Sequence, residues 1–130
     1  MADEEHIALS KHRLRKAKDD LAASKLLFEN NKLTQSINRS YYSIFHATRA
    51  LLALEKFDSR KHTGVIAYFN KNFIKTGKIE KEYSKMLMDA QDFRNDSDYD
   101  DFFVVSREEA EKQLNDADNF IKRIETFING

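Results

Sequence analysis

INRSYYSIFHATRALL, residues 37–52, decides the fold. On a helical wheel at roughly 100° per residue, Ile37, Tyr41, Ile44, Phe45, Thr48, Leu51 and Leu52 gather on one side. That side is an apolar face built for a core. Arg39, Tyr42, His46 and Arg49 gather on another side, within an arc of about 80°. The stretch is therefore a helix with two stripes, one apolar and one rich in hydrogen-bond donors. The donor stripe has two readings. It is a solvated face, or it binds phosphate, since arginine forks to phosphate oxygens and His and Tyr add donors near neutral pH. Tyr and His are unusual choices for a purely solvated face, where Glu and Lys prevail.

The residues on either side extend the helical pattern over the chain. Leu14, Ala17, Leu21, Ser24 and Phe28 recur at spacings of three and four, which predicts a first helix over about 4–29, ended by Asn30 and Asn31. Thr34 is the expected cap of the second helix, which runs to about Lys56. Ser59 or Thr63 caps a third helix carrying Ile66, Phe69 and Phe73, and Gly77 suits its stop. A fourth helix spans about 79–95 with Tyr83, Met86, Leu87, Ala90 and Phe93 as its stripe, followed by a loop of about ten residues. Within that loop Phe102–Val105 is expected to be pinned by its apolar side chains. Ser106 and Glu109 form a capping-box pair before a fifth helix that carries Ala110, Leu114, Ala117, Ile121, Ile124 and Ile128. With no proline and three glycines, nothing breaks the pattern further. The expectation is an all-α, up-and-down antiparallel bundle of four to five helices, folded as one domain over residues 1–130.

Composition narrows the function. The 22 basic and 22 acidic side chains cancel, so no global charge favours a nucleic-acid coat or a membrane surface. Absence of cysteine removes disulfides, thiolate catalysis and cysteine zinc sites. The acidic start, MADEEH, does not read as a signal peptide, and no apolar run is long enough to span a bilayer, so a cytoplasmic protein is expected. No Glu-x-x-His motif supports a ferritin-like metal bundle, and no metal or cofactor is expected. The basic run 11–18 is either the solvated side of the first helix or a contact for an acidic surface.

Two further clusters carry chemistry. Lys61 and His62 precede Thr63-Gly64 at the expected start of the third helix, where free amides attract anions, unless Gly64 serves only close packing. Arg94 stands seven residues after Leu87 and four after Ala90, so it shares the inward stripe of the fourth helix. A charge there needs a partner. Asp98 supplies one if the helix continues; otherwise Arg94 meets a ligand at a seam between helices or subunits.

Three segments, NRSYYSIFHATRALL (38–52), RKHTGV (60–65) and FRNDSDY (93–99), together resemble the HEPN domains, in particular a branch of small prokaryotic HEPN-like proteins. The resemblance runs from about Leu14 to the end of the chain. It implies a helical bundle paired as a homodimer, often working beside a minimal nucleotidyltransferase in toxin–antitoxin or defence pairs. Many relatives are metal-independent endoribonucleases whose motif is an arginine, a polar residue often Asn, a few more residues, then a histidine, with two copies meeting at the dimer seam. Arg94 and Asn95 match the first two positions. The histidine is absent: Asp98, Tyr99 and Asp100 lie where it belongs. Tyrosine, with an ordinary pKa of about 10, is a poor base at neutral pH. His46 or His62 fills the role only if the fold brings one beside Arg94. Three functions follow in order. The first is a module that binds nucleotide or RNA phosphate through Arg39, Tyr42, His46, Lys61, His62 and Arg94, or docks a nucleotidyltransferase. The second is a purely structural dimerisation module. The third is an endoribonuclease toxin with a rewired base.

Overall fold

The computed structural model describes residues 2–130, and these form five helices with no strand among them. They are α1 (Glu4–Glu29), α2 (Leu33–Ala53), α3 (His62–Phe69), α4 (Lys81–Tyr99) and α5 (Arg107–Asn129). A single π turn, Asn70–Ile74, prolongs α3. None of these helices is long and apolar enough to cross a membrane.

Helices α1 and α2 form an antiparallel hairpin held by small residues. Ser10, Ala17 and Ser24 repeat every seven positions along α1, and all three are buried. Such small side chains let the two backbones approach. Their hydroxyls then find partners on the opposite helix: Ser10 Oγ donates to the Ala50 carbonyl at 2.7 Å and Ser24 Oγ to the Ser36 carbonyl at 2.8 Å. Ser36 Oγ returns a bond to the Ser24 carbonyl at 2.9 Å. The buried serine hydroxyls of this seam are thus satisfied, as stability requires.

α2 is the central element and packs against each of the other four helices. Every residue of its expected apolar face, from Ile37 to Leu52, is buried. The main core gathers Tyr41, Ile44, Leu87, Phe69, Phe73 and Phe120 around it. A smaller cluster of Ile37, Val105 and Ala110, backed by Phe28, Phe93 and Phe103, closes the far end.

Several element boundaries differ from the sequence expectation. Thr34 caps nothing. Asn31 takes a left-handed conformation at φ 59°, and the chain re-enters a helix at Leu33 with Lys32 as an N-cap that makes no side-chain bond. α2 ends at Ala53, before Lys56, which reverses the chain at φ 57°. Neither Ser59 nor Thr63 caps α3: Lys61 is its N-cap, and Ser59 Oγ accepts from the Lys61 amide one residue too early, at 3.2 Å. Gly77 does end the segment, at φ 78°. α4 runs a full turn past Asn95, which shortens the loop to residues 100–106. The i,i+4 pair of Arg94 with Asp98 supports that added turn. In the loop, Phe103 and Val105 pack inward while Phe102 and Val104 are 90% and 82% exposed, so only alternate side chains pin it. The Ser106–Glu109 capping box is present, with Glu109 N donating to Ser106 Oγ at 3.0 Å and Ser106 N to Glu109 Oε1 at 3.2 Å.

Gln113 of α5 stands out. It is 1% exposed, and neither its Nε2 nor its Oε1 has a partner among the described residues. A buried amide without hydrogen bonds costs about 1–3 kcal/mol. Replacing both groups with apolar atoms of similar shape removes that penalty, so Gln113→Leu is expected to raise unfolding free energy by about 1 kcal/mol in urea titration. A destabilised Leu variant would show that the amide has an unrecognised role.

Candidate functional site

The donor stripe of α2 meets side chains from α1, α3 and α4. Its centre is the adjacent pair Tyr41 and Tyr42, whose rings meet edge to face at 5.2 Å between centroids. Two residues remote in sequence converge on that pair.

One is Arg94 from α4. Its guanidinium carbon lies 5.6 Å from the centroid of each tyrosine ring, and Nη2 donates to Tyr42 Oη at 3.2 Å. Aromatic faces attract a cation electrostatically. Arg94 Nε is 3.0 Å from Asp98 Oδ2, close enough for an ion pair, yet its N–H is not aimed at that oxygen. The inward register expected for Arg94 is present, and its side chain is 22% exposed.

The other is His62, the first residue of α3. Its ring stacks on Phe45 at 4.1 Å, and its Nδ1 lies 2.5 Å from Tyr41 Oη. Burial, followed by the positive charges of Arg94 and Arg49, lowers the His62 pKa. Burial likewise pushes the Tyr41 phenol well above its ordinary range, so it keeps its proton.

Further along the stripe, Arg39 Nη1 donates to Asp20 Oδ1 at 3.1 Å and its guanidinium lies 4.8 Å over the Tyr42 ring. Arg49 Nη2 donates to Asp58 Oδ1 at 2.9 Å, and Arg13 reaches the other oxygen of Asp58 at 3.2 Å. Between these pairs sits His46, with Nε2 at 3.6 Å from Asp20 Oδ2 and Nδ1 buried without a partner in the chain. A nearby carboxylate ordinarily raises a histidine pKa. Here burial, reinforced by Lys16, Arg49, Arg39 and Arg13, outweighs it and lowers His46 from 6.5 to about 4.

This shift carries a stability consequence. Between pH 6.5 and about 4 the unfolded chain takes up a proton at residue 46 that the folded chain refuses, so stability falls as pH drops through that window. The loss is at most about 3 kcal/mol. Asp20, whose pKa is raised by burial despite Arg39, works in the opposite sense at the acid end. His46→Gln isolates the histidine: urea midpoints at pH 7 and pH 4.5 should differ less in the variant than in the parent chain. Equal differences would sink this assignment.

The fold thus brings Arg39, Tyr42, His46, His62, Arg94 and Asp98 to one face. It does not bring all the candidates there. Lys61 is exposed at the N-cap of α3, and Tyr99 is 81% exposed at the end of α4. Asn95 is half-buried and makes no side-chain hydrogen bond among the described residues. Sequence reading missed the counter-charges Asp20 and Asp58, and it saw Tyr41 only as core. Asp20 and Asp58 sit 19 and 9 positions from the arginines they pair, so no helical spacing links them.

What the face can do chemically is present clustered cations and neutral imidazoles to an anion. Comparison with known proteins identifies the family. The model of the HEPN domain matches residues 10–127. A Thermotoga maritima protein named "UPF0332 protein" is 35% identical over 114 residues, spanning 88% of this chain and 86% of its own. Two Methanocaldococcus jannaschii proteins, each named "Putative toxin", are 36% identical over 112 residues and 31% over 115, spanning 86% and 88% of this chain and 83% and 78% of their own. With a five-helix, all-α fold and a family match spanning α1 to α5, the chain belongs to the HEPN domain family.

Proposed function

We propose that the chain is a toxin-like HEPN module that binds a phosphate group of a nucleotide or RNA on the α2 face. The observation that carries this is the state of Arg94. Two tyrosine rings, the Tyr42 hydroxyl and the Asp98 carboxylate hold its guanidinium in place, while Nη1 makes no hydrogen bond among the described residues. An arginine prepositioned in this way matches the oxygens of a phosphate. Arg39, Tyr42, His46 and His62 surround it, and Lys61 adds charge at the rim. The toxin part rests on the names of the Methanocaldococcus relatives.

The family resemblance implies a partner. We assign it a place in a toxin–antitoxin or defence pair, as a homodimer docked to a minimal nucleotidyltransferase. The exposed Phe102, Val104 and Tyr99, among Asp96, Asp100 and Asp101, support a protein contact at that end. A second reading, metal-independent cleavage of RNA, draws on His62 beside the tyrosines that hold Arg94, and it requires the Tyr41 bond to break so that a ring nitrogen is free to act as base. The roles of Arg94, Asn95, Asp98 and Tyr99 in such a reaction belong to that reading.

Titration with AMP and with a short RNA tests the binding reading. A raised melting temperature is expected. No rise at millimolar ligand would leave a structural dimerisation module, and cleavage of RNA in the presence of a chelator would favour the second reading.

A further inference from the structure

We propose that Tyr41 locks His62 in the tautomer protonated on Nε2, so that His62 is an uncharged hydrogen-bond donor to the same phosphate that Arg94 takes. The ligand half of this rests on the phosphate-site reading above. The tautomer half does not.

The argument starts from Tyr41. Its residue is fully buried, and His62 Nδ1, at 2.5 Å, is its hydroxyl's partner in the chain. A buried hydroxyl must place its proton on an acceptor. Tyr41 therefore donates, and Nδ1 accepts. A neutral imidazole that accepts at Nδ1 carries its hydrogen at Nε2. The doubly protonated ring is disfavoured twice: it leaves the Tyr41 proton without an acceptor, and it sets a cation among Arg94 and Arg49.

The ring is also fixed in orientation. It lies nearly flat on Phe45, at 28°, and perpendicular to Tyr42, at 90° with centroids 6.3 Å apart. Nε2 has no partner among the described residues and is not buried. Arg94 and His62 therefore share one tyrosine pair and leave donors of two kinds without a partner among the described residues, the charged Nη1 end of the guanidinium and a neutral N–H. Such a combination fits a group with several oxygen acceptors, as in a phosphomonoester or phosphodiester. It also accounts for the order of the readings: a histidine whose lone pair is occupied by Tyr41 cannot take a proton from a 2′-hydroxyl at Nε2. Tyr41 is thus a positioning residue, and His62 a binding residue.

Imidazole 1H–15N correlation spectra of the labelled wild-type chain at pH 7 test the lock without any substitution. The pattern of protonated Nε2 and bare Nδ1 is expected for His62, and the reverse pattern overturns the proposal. In Tyr41→Phe the lock is gone, and the spectrum should shift to a mixture of tautomers; an unchanged spectrum overturns Tyr41's part. For the ligand half, AMP affinity should fall about tenfold in His62→Ala, with partial recovery in His62→Gln, which keeps an N–H donor. Full affinity in His62→Ala alongside weakened binding in Arg94→Ala overturns the donor role alone. Full affinity in Arg94→Ala instead overturns the phosphate site itself.

Discussion

Arg94→Ala is expected to weaken binding of AMP or a short RNA by about 30–100-fold and to remove most of the ligand-induced rise in melting temperature. The size follows from what is lost. Charge-assisted hydrogen bonds contribute about 1.5–3 kcal/mol each, and the guanidinium offers a fork of them in fixed geometry. The substitution is expected to leave the fold standing. Arg94 is partly exposed, and what it loses within the chain is its contact with the two tyrosine rings, one bond to Tyr42 and one half-buried ion pair with Asp98. A thermal melt of the unliganded variant separates a loss of fold from a loss of binding. Arg94→Lys keeps the charge but not the fork, and should restore only part of the affinity. Isothermal titration checks both. Wild-type affinity in Arg94→Ala would remove the site.

Phe120→Ala is the substitution expected to hurt the fold most, by about 3–5 kcal/mol in urea unfolding. Phe120 is fully buried on α5, with its ring 5.9 Å from Phe69 and 6.1 Å from Tyr83. It therefore ties α5 to both α3 and α4. Removing it takes away buried apolar area and leaves a cavity that rigid helices on three sides cannot collapse into. Since a domain holds about 5–15 kcal/mol in total, the loss is a large share of stability. A drop below about 1 kcal/mol would mean that the core repacks freely around α5.

Different parts of this molecule were legible for different reasons. The capping box at Ser106 and the periodic stripe of α5 could be read because both are local. Phe120 and Gln113 on the same helix were not singled out, although one is central to packing and the other is an unsatisfied amide. The start of α2 was misplaced because the left-handed turn at Asn31 lets the chain re-enter a helix at Leu33 with no side-chain cap, where Thr34 was expected to supply one. The end of α4 was placed too early because the acidic run past Asn95 looks like a loop until Asp98 is seen to pair with Arg94.

From the sequence alone came the all-α class, the two faces of α2 and the inward register of Arg94. These depend on spacing along one helix, which chain geometry dictates wherever the helix packs. Tertiary structure alone decided which histidine meets the Arg94 site. His62 reaches it from 32 residues upstream, through Tyr41 and Phe45, while Tyr99, at the motif's own position, points to solvent. Contacts between helices depend on crossing geometry and side-chain rotamers, which no periodicity records.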